Sequence, residues 1–162
     1  MSGFVLYALP VSEGIVALSP LPGRYGDYAG DLNHLRDWQP AIVISMTTQA
    51  EMVARGAGDL GNDLQKSGTR WMHLPIEDFG APTPEVEEAW HTAARAALAA
   101  VQGGGRVLIH CNGGCGRSGM AVLRLMIEAG EAPETALARL RAVRPCAVET
   151  NAQMHWAFEG QF

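Results

Sequence analysis

Two short runs, Ala41-Ile-Val-Ile-Ser45 and Arg106-Val-Leu-Ile-His110, constrain the fold most. Each is short, rich in β-branched or aliphatic residues, and shows no alternation of apolar with polar positions. A strand of that kind is covered on both faces, as in the middle of a parallel sheet with helices packed on either side. Two further runs, 15–18 and 71–75, read as strands, the first ending at Pro20 and Pro22, the second opening into a turn-rich loop over 77–84. Helical stretches separate them. One is expected over 31–37, opened by Asp31 and stopped before Pro40, and one over 48–55, broken by Gly56, Gly58 and Gly61. A long one runs from Thr83 to about 102, with threonine as N-cap, Pro84 in the first turn and Glu85 at the positive end. Three more follow over 118–129, 133–143 and 150–158. Strands alternating with helices predict an α/β fold: a single domain over 1–162, with a central mainly parallel sheet flanked by helices.

Composition narrows the function. With 48% hydrophobic and 18% charged residues, the chain has the material for a packed core and not the balance of a disordered one. A net charge of −5 argues against general nucleic-acid binding, yet leaves room for a local anion site. No apolar stretch reaches membrane-spanning length, and residues 1–10 lack the basic start and cleavage site of a signal peptide. A cytoplasmic location is expected. Three cysteines, Cys111, Cys115 and Cys146, are too few and too unevenly placed for a disulfide framework or a zinc site. No metal or cofactor is expected. The histidines at 34, 73, 91 and 155 have no ligand-like spacing, and the four tryptophans read as core or groove residues.

Chemistry concentrates in His110-Cys-Asn-Gly-Gly-Cys-Gly-Arg-Ser-Gly119, between an apolar strand and a helix. Gly113, Gly114 and Gly116 let such a loop curl so that successive N–H groups point inward, while the helix N-terminus adds partial positive charge. The result is a cradle for a tetrahedral oxyanion, formed by Asn112, Gly113, Gly114, Cys115, Gly116 and Arg117. Arg117, six residues after Cys111, is placed to return across the cradle and hold two phosphate oxygens in a bidentate grip. The same field favours a thiolate at Cys111, making it a nucleophile. Ser118 is positioned to donate a hydrogen bond to that sulfur, and His110 to orient the loop through backbone hydrogen bonds. A structural cysteine in a glycine-rich turn is the plain alternative.

This pattern resembles the signature of the protein tyrosine phosphatase superfamily, and the chain's length resembles that of its compact dual-specificity branch. The resemblance covers most of the chain, in order: Leu21-Pro-Gly23, Pro75-Ile-Glu-Asp-Phe-Gly-Ala-Pro82, and the loop from His110 to Ser118. It implies a cysteine-phosphatase fold and a phosphocysteine intermediate on Cys111, with Arg117 binding phosphate. It also implies that Asp78, rather than its neighbour Glu77, is the general acid, since a departing alkoxide or phenoxide needs a proton. The family's water-positioning turn has its counterpart at Glu149-Thr-Asn-Ala-Gln153, where Gln153 matches and Glu149 departs from the pattern. Gln153 as an exposed helix residue is the competing reading.

The function expected is therefore a metal-independent phosphomonoesterase acting on phosphorylated protein or peptide, with a phosphate-like anion in its active site. A phosphoinositide or small-molecule phosphatase is one alternative; the absence of lysine from the loop disfavours it. A non-catalytic phosphate-binding module and a sulfurtransferase are the others. A protective bridge from Cys111 to Cys115 or Cys146 is a further possibility. Arg139, Arg141 and Arg144 read as a solvated basic helix face, and Arg124 as support for the helix after the loop.

Overall fold

The computed structural model describes residues 3–161, so the first two positions and the last of the expected domain lie outside the described residues. The chain runs β1 (Tyr7–Val11), β2 (Gly14–Ser19), α1 (Tyr28–Trp38), β3 (Ile42–Ser45), α2 (Gln49–Ala54) and α3 (Leu60–Lys66). It continues through β4 (Arg70–His73), α4 (Pro84–Gln102), β5 (Arg106–His110), α5 (Gly116–Glu128), α6 (Pro133–Val143) and α7 (Asn151–Phe158). The strands form one sheet in the order β1-β2-β5-β3-β4, antiparallel only between β1 and β2. The two runs that read as interior strands, β3 and β5, lie side by side, and β5 is central.

Alternation along these strands divides the core in two. Val16, Leu18, Ile42, Ile44, Val107 and Ile109 face one layer, with Trp90 of α4 and the apolar side of α5. Ala17, Val43 and Leu108 face the other, packed on Leu35 of α1, Met52 of α2 and Leu60 and Leu64 of α3. Successive side chains of a strand point to opposite faces, so burial on both faces requires apolar residues at every position. A parallel sheet presents the carboxyl ends of its strands at one edge, and the crevice there is where α/β folds bind ligands. The loop after β5 occupies that edge at its centre.

Three elements depart from the sequence reading. α1 begins at Tyr28 and not at Asp31, because the Asp27 carboxylate caps it by accepting from the Gly30 N–H at 3.0 Å. Asp31 is instead buried and accepts from the Gly23 N–H at 2.8 Å. α3 runs through Gly61, which looked like a breaker; a Cβ there would overlap the Trp71 ring, so glycine serves close packing of helix on strand. β1 contains Pro10, tolerated because β1 is an edge strand.

Trp90 is fully buried, packs edge-to-face on Trp156 at 5.2 Å, and donates its indole N–H to Glu128 at 2.9 Å. Trp90→Ala should lower the unfolding free energy by about 3–5 kcal/mol, measured by denaturant titration; a loss under about 1 kcal/mol would contradict this packing.

Candidate active site

The loop between β5 and α5 is held by its carbonyl groups. The Asn112 C=O accepts from the Leu21 N–H at 3.0 Å. The Gly113 and Gly114 carbonyls accept from the Arg144 guanidinium at 3.0 and 3.1 Å. The Cys115 C=O accepts from Gly119 N–H at 2.9 Å and Val148 N–H at 3.2 Å. A trans peptide sets the C=O of one residue antiparallel to the N–H of the next. Carbonyls tied outward at 112 to 115 therefore turn the N–H groups of Gly113, Gly114, Cys115 and Gly116 inward. Gly114 supplies the one left-handed turn the curl needs, with φ of 75°, and its Cα passes so close to Ser19 and Pro20 that no side chain fits.

α5 starts inside this curl, at Gly116 and not at Ser118, and Cys115 at its N-cap position makes no side-chain cap. Its first N–H groups are thus left for a ligand. At the floor lie Cys111, buried, and Ser118, whose hydroxyl is 3.2 Å from the sulfur. A cavity of about 570 Å³ opens above Cys111 and includes Asn112, Gly113, Gly116, Arg117 and Asp78 in its lining.

Arg117 is 2% exposed, and its hydrogen-bond partners leave one edge of the guanidinium facing only Asp78. Nη1 donates to Glu51 Oε2 and to the Ile76 C=O, both at 2.8 Å, while Nη2 donates to Glu51 Oε1 at 2.8 Å. Nε makes no hydrogen bond to a described residue, and Nη2 stands 3.4 Å from Asp78. The Nε–Nη2 edge is the fork that two oxygens of one phosphate fit. Glu51, in α2, was not singled out from the sequence. Burial pushes its carboxyl up, but hydrogen bonds from Arg117, the Thr48 N–H and Asn112 outweigh that and hold it at about 2. Thr48 and Glu51 also form a capping box, Thr-x-x-Glu, which is the signal the sequence offered for this glutamate.

His110 links the loop backbone to β3 through hydrogen bonds on both ring nitrogens. Its Nδ1–H donates to the Cys111 C=O at 3.1 Å, and its Nε2 accepts from the Ser45 hydroxyl at 2.6 Å; Ser45 in turn accepts from the Trp71 indole at 2.8 Å. That chain requires the neutral ring. Complete burial depresses His110 to about 4, against the smaller opposing effect of its bond to Cys111.

Asp78 sits on the loop after β4, 58% exposed at the cavity, and accepts from the Phe79 N–H at 3.0 Å. Phe79 has φ of 62°, a left-handed conformation that a bulky residue adopts at a local cost. Gln153 is neither exposed nor at liberty: its Oε1 accepts from the Glu149 and Thr150 N–H groups at 2.8 and 3.3 Å, and its Nε2 donates to Gly80 at 3.1 Å. It ties the Asp78 loop to the start of α7. Glu149 lines the cavity over Gly116, where a methyl group would overlap its carboxylate.

Cys111 is a free thiol here, and the disulfide joins Cys115 to Cys146, fastening the loop to the segment after α6, a pairing the sequence did not suggest. One expectation fails: the basic helix face is only partly exposed and is partnered, for Arg139 pairs with Glu131, Arg141 donates to Ala147 and Val148, and Arg144 holds the loop. Arg124 does support α5, bridging Glu87 and Glu128 beneath the Trp156 ring. Among the described residues, no group of three or more His, Cys, Asp or Glu side chains is placed to hold a metal ion.

Residues 20–131 match a family model described as "Polymorphic toxin system, DSP-PTPase phosphatase". A mouse protein, cyclin-dependent kinase inhibitor 3, is 30% identical over 131 residues, covering 80% of this chain and 61% of its own length; the chain thus spans about three fifths of that relative. Among solved structures, Tk-PTP in its active form is 30% identical with a TM-score of 0.73, covering 90% of each chain. Kinase associated phosphatase carrying serine for its catalytic site cysteine has a TM-score of 0.85 at 22% identity, covering 98% of this chain and 94% of that one. The chain belongs to the compact dual-specificity branch of the protein tyrosine phosphatases, a family of hydrolases.

Two outcomes follow from this geometry. His110 binds a proton more weakly folded than unfolded, so its contribution is complete above pH about 6.5 and is lost as pH falls toward about 4. Urea titrations should show a decline of about 3 kcal/mol across that window, flattened in His110→Gln; a flat wild-type profile would contradict the buried neutral ring. Glu51→Gln removes the charge that aims Arg117. It should lower kcat/KM for an aryl phosphate about ten- to hundredfold and weaken competitive inhibition by inorganic phosphate in parallel, with the fold intact by circular dichroism. Unchanged phosphate inhibition would reject that positioning role.

Proposed function

We propose that this chain, as one catalytic domain over 1–162, hydrolyses phosphate monoesters of proteins through a phosphocysteine on Cys111. The observation carrying the proposal is the coincidence at one cavity of loop N–H groups, a buried thiol and a guanidinium whose Nε–Nη2 edge faces the exposed Asp78 carboxylate and is otherwise open to a ligand. The Cys111 thiolate attacks phosphorus in line with the leaving oxygen. Loop N–H groups and the Nε–Nη2 edge of Arg117 stabilise the charge that grows on the equatorial oxygens. Asp78 protonates the leaving oxygen as the P–O bond breaks, and then removes a proton from the water that cleaves the S–P bond. Ser118, 3.2 Å from the sulfur, stabilises the departing thiolate in that second step.

Gln153 supports this site by anchoring the Asp78 loop rather than by holding the water, since its Oε1 is occupied twice. A cytoplasmic site of action belongs to the same reading, and in that compartment thiol reductants would hold Cys115 and Cys146 apart.

Cys111→Ser should retain phosphopeptide binding and lose turnover by at least about 10⁴-fold, measured by calorimetry and phosphate release. Asp78→Asn should slow phosphoserine peptide hydrolysis about a hundredfold and p-nitrophenyl phosphate hydrolysis much less, because nitrophenolate leaves without a proton. Equal slowing of both esters would reject Asp78 as the acid.

A further inference from the structure

Five strands in an open sheet leave two edges, and the chain manages them differently. At the β1 edge Pro10 removes a donor, and its C=O accepts from the Arg139 guanidinium at 2.7 Å. β4, at the other edge, carries no proline and pairs with β3 in unbroken register. Within a parallel strand the N–H and C=O of one residue point to the same side, and those of the next residue to the opposite side. The Arg70 and Leu74 N–H groups face β3, donating to the Ala41 and Ser45 carbonyls at 3.2 and 2.9 Å. Met72, midway between them, faces β3 as well. Trp71 and His73 therefore direct their N–H and C=O groups away from the sheet, and no described residue bonds these four groups. Such a row accepts an added strand.

The surroundings suit a strand there. A cavity of about 370 Å³ lies beside β4 and is lined by Met72, Leu74, Ala89 and Thr92 together with Arg70. On the other face of the sheet the partly exposed Trp71 and His73 rings stack at 5.3 Å. Alternate side chains of an added strand would enter the cavity and cover those rings. Charge gives the edge a direction. β4 and β5 are both parallel to β3, so α4 between them runs back against the strands, and Arg95 lies one turn past Thr92 toward the Arg70 end. Arg70 and Arg95 are exposed, and neither is in a salt bridge among the described residues. The exposed carboxylates of the same helix, Glu85 and Glu88, precede Ala89 and so lie toward the opposite end. We propose that the open edge of β4 binds an extended acidic segment of a partner protein as a sixth strand, with its carboxylates at the Arg70–Arg95 end and an apolar side chain in the cavity. A second copy of this chain fits less well. α3 packs under β4 through Gly61 and Trp71 and exposes Asn62, Gln65 and Lys66, a polar face that two sheets joined edge to edge would have to bury. A single strand meets the edge alone.

The probes are two decapeptides that alternate valine with serine and carry three glutamates, at the amino end in one and at the carboxyl end in the other. In the free chain, hydrogen exchange should be at least about tenfold faster at the Trp71 and His73 amides than at Met72. One glutamate peptide should bind with a Kd of about 0.3 mM or tighter, shift the 71–73 amide resonances and slow exchange at 71 and 73. Binding should weaken at least about fivefold in the double variant Arg70→Glu, Arg95→Glu, in Ala89→Trp, which fills the cavity, and between about 0.05 M and about 0.5 M salt. Circular dichroism checks that each variant is folded. No shift at 71–73 with either peptide up to about 5 mM overturns the proposal. Equal binding of peptides with lysine in place of glutamate overturns the acidic assignment, and equal binding of peptides N-methylated at alternate residues overturns strand addition. Protection of 71 and 73 in the free chain that disappears on dilution makes a second copy the occupant. Every readout is of binding, so the phosphatase reading stands or falls separately.

Discussion

Outward-tied carbonyls at positions 112 to 115 are the constraint on which the site depends. Inward N–H groups are not favourable by themselves, because each is a donor removed from its own partner while the cradle is empty. The loop holds that arrangement because its opposite side is bonded to groups that come from elsewhere in the fold: Leu21 after β2, Arg144 after α6, and Val148 before α7. In the oxidised chain the Cys115–Cys146 bridge fastens the same side of the loop, and the carbonyl contacts hold it without that bridge. The cradle is thus a property of the assembled fold, and the ten-residue signature can form it only where those three segments meet it.

Arg117 illustrates the same dependence. A guanidinium at 2% exposure is costly to bury unless its charge and donors are met. Glu51 meets one edge and Ile76 one further donor, which leaves the remaining edge directed toward the cavity. The pair contributes orientation more than stability, since a buried ion pair roughly offsets its own desolvation. On this account the loop supplies a shape and Glu51 supplies the aim.

The parts of this arrangement visible in the sequence are those encoded locally. β3 and β5 were legible because burial on both faces demands an unbroken apolar run, and α4 because Thr83 and Pro84 mark its first turn. The loop was legible because cysteine, glycines and arginine fall within one short segment. Glu51 was not, since it meets Arg117 across 66 positions, and a glutamate in a capping box looks the same whether its outer face meets water or a buried arginine. The Cys115–Cys146 pairing, across 31 positions, and the use of Arg144 as a loop fastener were hidden for the same reason. Gly61 misled in the opposite direction: a residue that breaks isolated helices was needed for contact with Trp71.

The most direct test of the central claim is a crystal structure of the protein soaked in tungstate. The account predicts the anion seated above Cys111, bound by the N–H groups of 113–117 and by Nε and Nη2 of Arg117, with Glu51 still on the other edge of that guanidinium. An anion absent from the loop, or one held only after Arg117 has left Glu51 and the carbonyls of Gly113 and Gly114 have turned inward, would contradict it.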